Sequence, residues 1–401
     1  MSMRITTFLF LIAMGCVFTN RCRADVLVQK YLSSGELAKG ETELKQHLQT
    51  NPKDDEARFG LGMLQALQAV QKFSNNLSKS GFLSSRLYYS RPRTDEEKEV
   101  REVFREPAEP ERLTYAGLRK IVRTFVDDIS AAETTLAEVT DSKVRLPIET
   151  GKVKLTPFSG DKQITTGTLG AAFRNPFVER VIGKEAVIIF DRGDASWLRG
   201  YCNALAGAGE LFLAFDTRDM FVVMAPRYFK NPERPTLKQN PFPVNQAPNF
   251  PVYDAKRLTK ALKHFETTLA LSKDMWRHYQ AETDDDHEWI PNPRQTGVFG
   301  VPITQQQMQV WIQVVTEAEQ VLQGKKLLPY WVRRNNNNQG INLRKIFTNP
   351  QPISMVLWMQ GNGPQTYLEN GVVTNFGDQQ RYNQIQEVYN GQMVRFGFWT
   401  N

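Results

Sequence analysis

The stretch TYAGLRKIVRTFVDDISAAETTLAEV, residues 114–139, sets Leu118, Val122, Phe125, Ile129, Ala132, Leu136 and Val139 at alternating spacings of four and three. That spacing places every apolar side chain on one stripe of a helix. Thr114 ahead of it supplies a capping hydroxyl, and the helix is expected to end near Asp141.

The same period recurs on both sides. Towards the C-terminus, Asp254 opens a helix whose buried stripe is Leu258, Leu262, Phe265, Leu269, Trp276 and Tyr279. Thr304 and Gln307 form a capping box before Met308, Trp311, Val315, Ala318 and Leu322, and Gly324 closes that helix. Towards the N-terminus, a helix with Leu37, Leu44 and Leu48 stops at Asn51-Pro52. A second starts at Asp54 or Asp55 and carries Ala57, Leu61, Leu64, Leu67 and Val70. Only residues 144–190 depart from this pattern. There Val144, Leu146 and Ile148 alternate with polar residues and Val187 to Phe190 is a short apolar run, so small strands are expected. The predicted fold class is mainly α, a helical hairpin followed by a larger helical body with a few short strands.

Residues 1–24 are of different composition. Arg4 precedes an apolar run from Ile5 to Phe18, and a polar stretch ends at Ala24. This is the order of a secretory signal, and the run is shorter than the roughly 20 residues that span a bilayer. A retained anchor and lipidation at Cys16, within Ala13-Met14-Gly15-Cys16, are the alternatives. No later segment is expected to span a membrane. The expected organisation is a signal over 1–24, a helical hairpin over 25–75, a polar connector over 76–112, and a helical body over 113–401. The body is interrupted by a loop at 226–251 that carries seven prolines, which no helix should survive.

Composition excludes a wholly disordered chain, since 41% of residues are hydrophobic and 23% charged. The formal net charge of +7 is spread along the 401 residues, so it does not call for a nucleic-acid partner. Of three cysteines, Cys16 and Cys22 lie in the signal; Cys202 is left alone on an apolar helix and reads as inert core. Asn76-Leu77-Ser78 matches a glycosylation triplet, and Arg192-Gly193-Asp194 an adhesion triplet. For the latter the better reading is that Asp194 caps the helix carrying Trp197, Leu198, Tyr201 and Leu205.

Catalytic order is sparse. The chain has no HExxH, GxSxG, GxGxxG or Walker lysine, and Ser159-Gly160-Asp161 offers only one carboxylate to a calcium loop. His47 reads as a packed or surface residue, and His264 and His278 share one predicted helix about 21 Å apart, too far for one ion. Asp191, Asp194, Glu210, Glu317 and Glu319 provide carboxylates for a hydrolytic pair, with no spacing that selects two of them. The dense acidic run is Asp284, Asp285, Asp286, His287 and Glu288. Asp284, Asp285, Asp286 and Glu288 are the candidate metal ligands, yet adjacent residues cannot converge on one ion without help from a distant segment. No cofactor is expected, and calcium is expected to leave stability unchanged. Trp289, Trp331 and Trp399 sit beside polar or Pro/Gly-rich segments, as glycan- or peptide-binding aromatics do, although core packing explains them more simply.

Leu27, Tyr31, Gly35, Leu44 and Pro52, with Leu61-Gly62 restarting the pattern 34 residues after Leu27, make the first 50 residues after the signal resemble a tetratricopeptide repeat. The runs Phe190 to Tyr201 and Gly340 to Arg344 resemble a group of exported bacterial proteins of no assigned activity. These resemblances imply export, a helical body and a protein or peptide partner, with a glycan as the other ligand class. The expected function is an exported scaffold or binding protein of the cell envelope, in the periplasm or at the cell surface. The competing reading is an envelope hydrolase acting on glycans or peptides through carboxylates. Mass spectrometry of the purified native protein is expected to find Asp25 as its first residue; an intact Met1 form would remove the signal reading.

Overall fold

The computed structural model describes residues 25–401 apart from 87–91, 159–161, 174–175, 184, 234–248, 287, 299, 301, 331–337, 376–377 and 400–401. The expected signal at 1–24, Ser159-Gly160-Asp161, His287, Trp331 and most of the proline-rich loop therefore lie outside the described residues, as does the side chain of Trp399. The described chain is mainly helical, with a few short two- and three-stranded sheets.

Helices α1 (residues 25–34), α2 (Leu37–Thr50) and α3 (Asp55–Lys79) pack together around Val28, Tyr31, Leu32, Leu44 and Leu64, all fully buried. Asp54 caps α3 by accepting from the Ala57 N–H, and its other oxygen lies 2.7 Å from His47 Nε2, so that histidine is a packed partner. The expected polar connector contains a further helix, α4 (Asp95–Val103), which buries Val100 and Val103. Asn76 and Ser78 lie inside α3 with Ser78 buried, a poor setting for glycosylation.

Helix α5 (Tyr115–Ala137) is the segment read first, and Thr114 caps it by accepting from the Gly117 N–H. It lies along α3, and Asp55 ties the two together. The Asp55 carboxylate accepts from the backbone N–H groups of Thr140 and Asp141 and from Arg58. Burial works to raise its pKa, but these donors outweigh burial and hold it below the usual carboxylate value.

Strand β1 (Leu146–Glu149) leaves this layer, β2 (Lys154–Leu155) and β3 (Ile164–Thr165) form a short hairpin, and α6 (Thr166–Phe173) and α7 (Pro176–Ile182) follow. Strand β4 (Val187–Phe190) returns antiparallel to β1 with Leu146 opposite Phe190. It runs directly into α8 (Arg192–Ala214), which packs between α5 on one side and α10 (Ala255–Ala281) on the other. Cys202 is buried on α8, and burial pushes its thiol up to about 12, so it is core as expected. The intervening α9 (Arg218–Tyr228) corrects one expectation: it runs through Pro226. The proline falls in the last turn, so the helix ends within two residues of it.

The C-terminal part begins at α11 (Gln305–Leu322), opened by the expected capping box of Thr304 and Gln307. Beyond it, β6 (Leu328–Pro329), β7 (Gln339–Ile341) and β9 (Leu368–Asn370) form one small sheet, and β8 (Ile353–Ser354) pairs back to β5 (Asn249–Phe250), which precedes α10. Short helices α12 (Leu343–Thr348), α13 (Met355–Met359), α14 (Gln379–Val388) and α15 (Met393–Trp399) complete the chain. Phe396 stacks on Trp276 at 6.1 Å, so the C-terminal segment docks onto α10. Among the described residues, no helix is long and apolar enough to cross a membrane.

The α3–α5 contact depends on Gly62, where an added Cβ would lie 2.4 Å from Leu136 Cγ, itself fully buried. Gly62→Val is expected to destabilise by about 1–3 kcal/mol through overpacking, measured by urea unfolding.

Candidate carboxylate cleft

The site starts where β4 ends. Asp191 is the residue that caps α8, accepting from the N–H groups of Gly193 and Asp194 at 2.6 and 3.1 Å. Asp194 completes the box by accepting from the Asp191 N–H at 3.0 Å. The expectation that Asp194 is the cap is therefore corrected by three positions. The geometry favours this arrangement because strand-like φ and ψ at Asp191 aim its oxygen at the open N–H groups of the first turn. Asp194 is buried and accepts at 2.6 Å from the hydroxyl of Tyr279 on α10. With Gly193 and Asp194 both buried, the adhesion triplet is not displayed.

Helix α10 ends at Ala281, and its cap residue Glu282 hydrogen-bonds side chain to side chain with Asp191. The chain then makes the acidic loop and folds back. Val298 N–H donates to the Glu288 carbonyl at 2.9 Å, Asn292 Nδ2 donates to the Tyr279 carbonyl at 2.7 Å, and Gln295 Nε2 donates to the Asp284 carbonyl at 2.8 Å. Asn292 and Gln295 are buried, so this is a rigid frame. It brings Glu288 to the other two acids: one carboxylate oxygen from each of Asp191, Glu282 and Glu288 lies within 4.8 Å of the others. They line a cleft of about 550 Å³ whose walls include Lys143, Arg145, Arg192 and His278.

Like charges this close cannot all ionise. Burial, then the Asp191 charge, pushes Glu282 up to about 10. Burial pushes Glu288 up to about 7, with Asp191 and Asp284 adding to the effect. Asp191 is raised chiefly by burial, and Asp194 well above the usual range by burial and by Asp191. On the wall, burial and then Arg192 lower the pKa of His278.

The acidic run does not act as a unit. Arg145 donates to Asp284 at 3.1 Å and to Asp286 at 2.6 Å, and Asp285 accepts from the Thr296 N–H at 2.6 Å. Of the four expected ligands only Glu288 joins the cluster, because neighbouring side chains on an extended loop diverge. The other carboxylates considered for hydrolysis are held elsewhere. Glu210 pairs with Arg257 at 2.6 Å, Glu319 with Lys273 at 2.6 Å, and Glu317 with Lys326 and Thr374. His264 Nδ1 lies 2.8 Å from Asn203 Oδ1, and Trp289 is buried against Trp197 and Phe190 as core. Glu282 was not among the sequence candidates. Its one local signal is an acid at the exit of a helix whose last turn carries a buried tyrosine. Comparison with known protein families, curated proteins and solved structures finds no match to this chain.

The raised acids give stability a direction with pH. A carboxyl whose folded pKa exceeds its unfolded value stabilises fully at low pH and loses that contribution as pH rises through the folded value. With divalent ions chelated, the melting temperature is expected to fall between pH 5 and 8 as Glu288 ionises near 7. Glu288→Gln is expected to flatten that fall in a thermal melt series.

Proposed function

We propose that the protein is an exported binding protein of the cell envelope that holds a divalent cation on Asp191, Glu282 and Glu288. The observation that carries this reading is the convergence of three carboxylate oxygens, from a helix cap, a helix exit and a loop, within 4.8 Å at a solvent-reached cleft. Carboxylate oxygens are hard donors, which suits calcium or magnesium. The sequence expectation against a metal rested on the lack of a distant partner for the acidic run. Asp191 and Glu282 are that partner for Glu288. A cation there replaces protons, so its apparent affinity rises as pH rises.

Export over residues 1–24 and a tetratricopeptide-like hairpin over 25–75 belong to the same proposal. The support for them is the signal-like order of residues 1–24 and the packing of α1, α2 and α3 around Tyr31, Leu44 and Leu64. The hairpin would offer a protein or peptide partner a helical face, and the cation would organise the cleft for a ligand.

One observation favours the hydrolase reading instead. Asp191 and Glu282 share a hydrogen bond, and Glu288 beside them sits at about 7, so one carboxyl can donate a proton while another accepts one. Turnover distinguishes the two readings. At pH 7.5, calcium or magnesium at a hundredfold excess over Kd is expected to stabilise the native chain by about 2.7 kcal/mol, a rise of a few degrees in Tm. Asp191→Asn combined with Glu282→Gln is expected to abolish that rise. An unchanged melt together with hydrolysis of purified cell-wall material would replace the binding reading with the enzymatic one.

A further inference from the structure

A second cavity, of about 480 Å³, opens between α11 and α14. The backbone around it is fixed. Gln307 Nε2 donates to the Val388 carbonyl at 3.3 Å, and the Tyr389 hydroxyl donates to the Gln307 carbonyl at 2.6 Å, which ties the two helices together. On another wall the Leu327 N–H donates to the Val372 carbonyl at 2.9 Å and the Thr374 N–H to the Leu327 carbonyl at 2.8 Å, so Val373 is held between them. Val373 and Ile312 give the cavity an apolar side. The charged side holds Glu317, Lys326 and Arg381. Glu317 is committed: one oxygen pairs with Lys326, and the other accepts from the Thr374 hydroxyl at 2.6 Å. Burial works to raise its pKa, but these hydrogen bonds and the nearby cations hold it below the usual carboxylate value. Arg381 is different. Its guanidinium donates to Gln313 Oε1 at 3.1 Å, a neutral partner, and among the described residues no carboxylate is in ion-pair contact with it. Two cations against one acid leave the cavity with a net positive charge.

We propose that this cavity binds the C-terminal residue of a peptide, with Arg381 holding the carboxylate and Ile312 and Val373 receiving an aliphatic side chain. A planar guanidinium presents parallel N–H donors that match a carboxylate, and one negative charge balances the cavity. A doubly charged phosphate would set excess negative charge against the ionised Glu317. The same acid separates peptide ends from free amino acids. Among the described residues Glu317 is the only acid lining the cavity, and it is already paired, so no group is left to receive a ligand ammonium. The last residue of a peptide carries a neutral amide N–H instead, and the side-chain carbonyl of Asn375, exposed at the rim, accepts such a donor. The cavity shares no lining residue with the carboxylate cleft, so peptide capture here stands whether or not a cation binds there. It gives the peptide partner of the binding reading a defined chemistry, an aliphatic residue with a free carboxylate.

The test is a ligand-observed NMR titration of the full chain, at low salt, with N-acetyl-valine, with its uncharged amide N-acetyl-valinamide, and with free valine. N-acetyl-valine is expected to bind about tenfold more tightly than the amide, which lacks the charge that Arg381 pairs. Free valine is expected to bind as weakly as the amide. Arg381→Gln is expected to lower the affinity for N-acetyl-valine about tenfold and to leave that for the amide unchanged. Arg381→Lys keeps the charge without the fork and is expected to recover part of the loss. The comparison of acid with amide on wild type needs no variant, so it decides the proposal even if Arg381→Gln fails to fold. Equal binding of acid and amide, no binding of either, or undiminished binding by a folded Arg381→Gln overturns the carboxylate site. Free valine bound as tightly as N-acetyl-valine overturns the assignment to a peptide end.

Discussion

The contact between Gly193 and Tyr279 is the constraint on which the rest of the molecule turns. A Cβ at position 193 would lie 2.3 Å from Tyr279 Cε1, so only glycine lets the α10 ring rest on the first turn of α8. That approach brings the Tyr279 hydroxyl to Asp194, which in turn holds the backbone of Asp191. The Asp191 carboxyl is thereby aimed at Glu282 one turn beyond the tyrosine. Helix α8 also packs on α5, so it joins the N-terminal helices to α10. A bulkier residue at 193 would separate two halves of the core and dismantle the cleft together.

Gathering acids at the floor of a cleft costs free energy, and several features offset that cost. The N-terminal N–H groups of α8 donate to Asp191, and the positive end of a 23-residue helix favours negative charge there. Tyr279 donates to Asp194, and Arg145 neutralises the nearest members of the acidic loop. What remains is settled by keeping protons on Glu282 and its neighbours, or by a cation in their place. An arrangement held together by protons at neutral pH is poised for exchange in a way that an ordinary surface acid is not.

The fold was legible wherever structure follows from neighbours in sequence. The stripe of α5, the caps at Thr114, Asp254 and Thr304, and the inert Cys202 all depend on spacings of a few residues. The site was legible only in part. Asp191, Asp194 and Glu288 were named, but in separate groups, because no local pattern links a strand end to a helix exit across α9 and the proline-rich segment. Glu282 carries no comparable local signal beside the denser run of 284–288, in which Arg145 and the Thr296 N–H engage Asp284, Asp285 and Asp286 while Glu288 alone joins the cluster. The choice between Asp191 and Asp194 as cap turned on where β4 stops, a boundary that a four-residue apolar run does not fix.

The sequence distance between Asp191 and Glu282 has a kinetic consequence. They meet only after β4, α8, α9 and α10 have been laid down and folded back, and contacts between segments so far apart form late. A ligand bridging such contacts stabilises the native state more than the transition state that precedes it. It therefore slows unfolding and leaves the folding rate nearly unchanged. Occupancy of the cleft would set how long a folded copy persists rather than how quickly one is made.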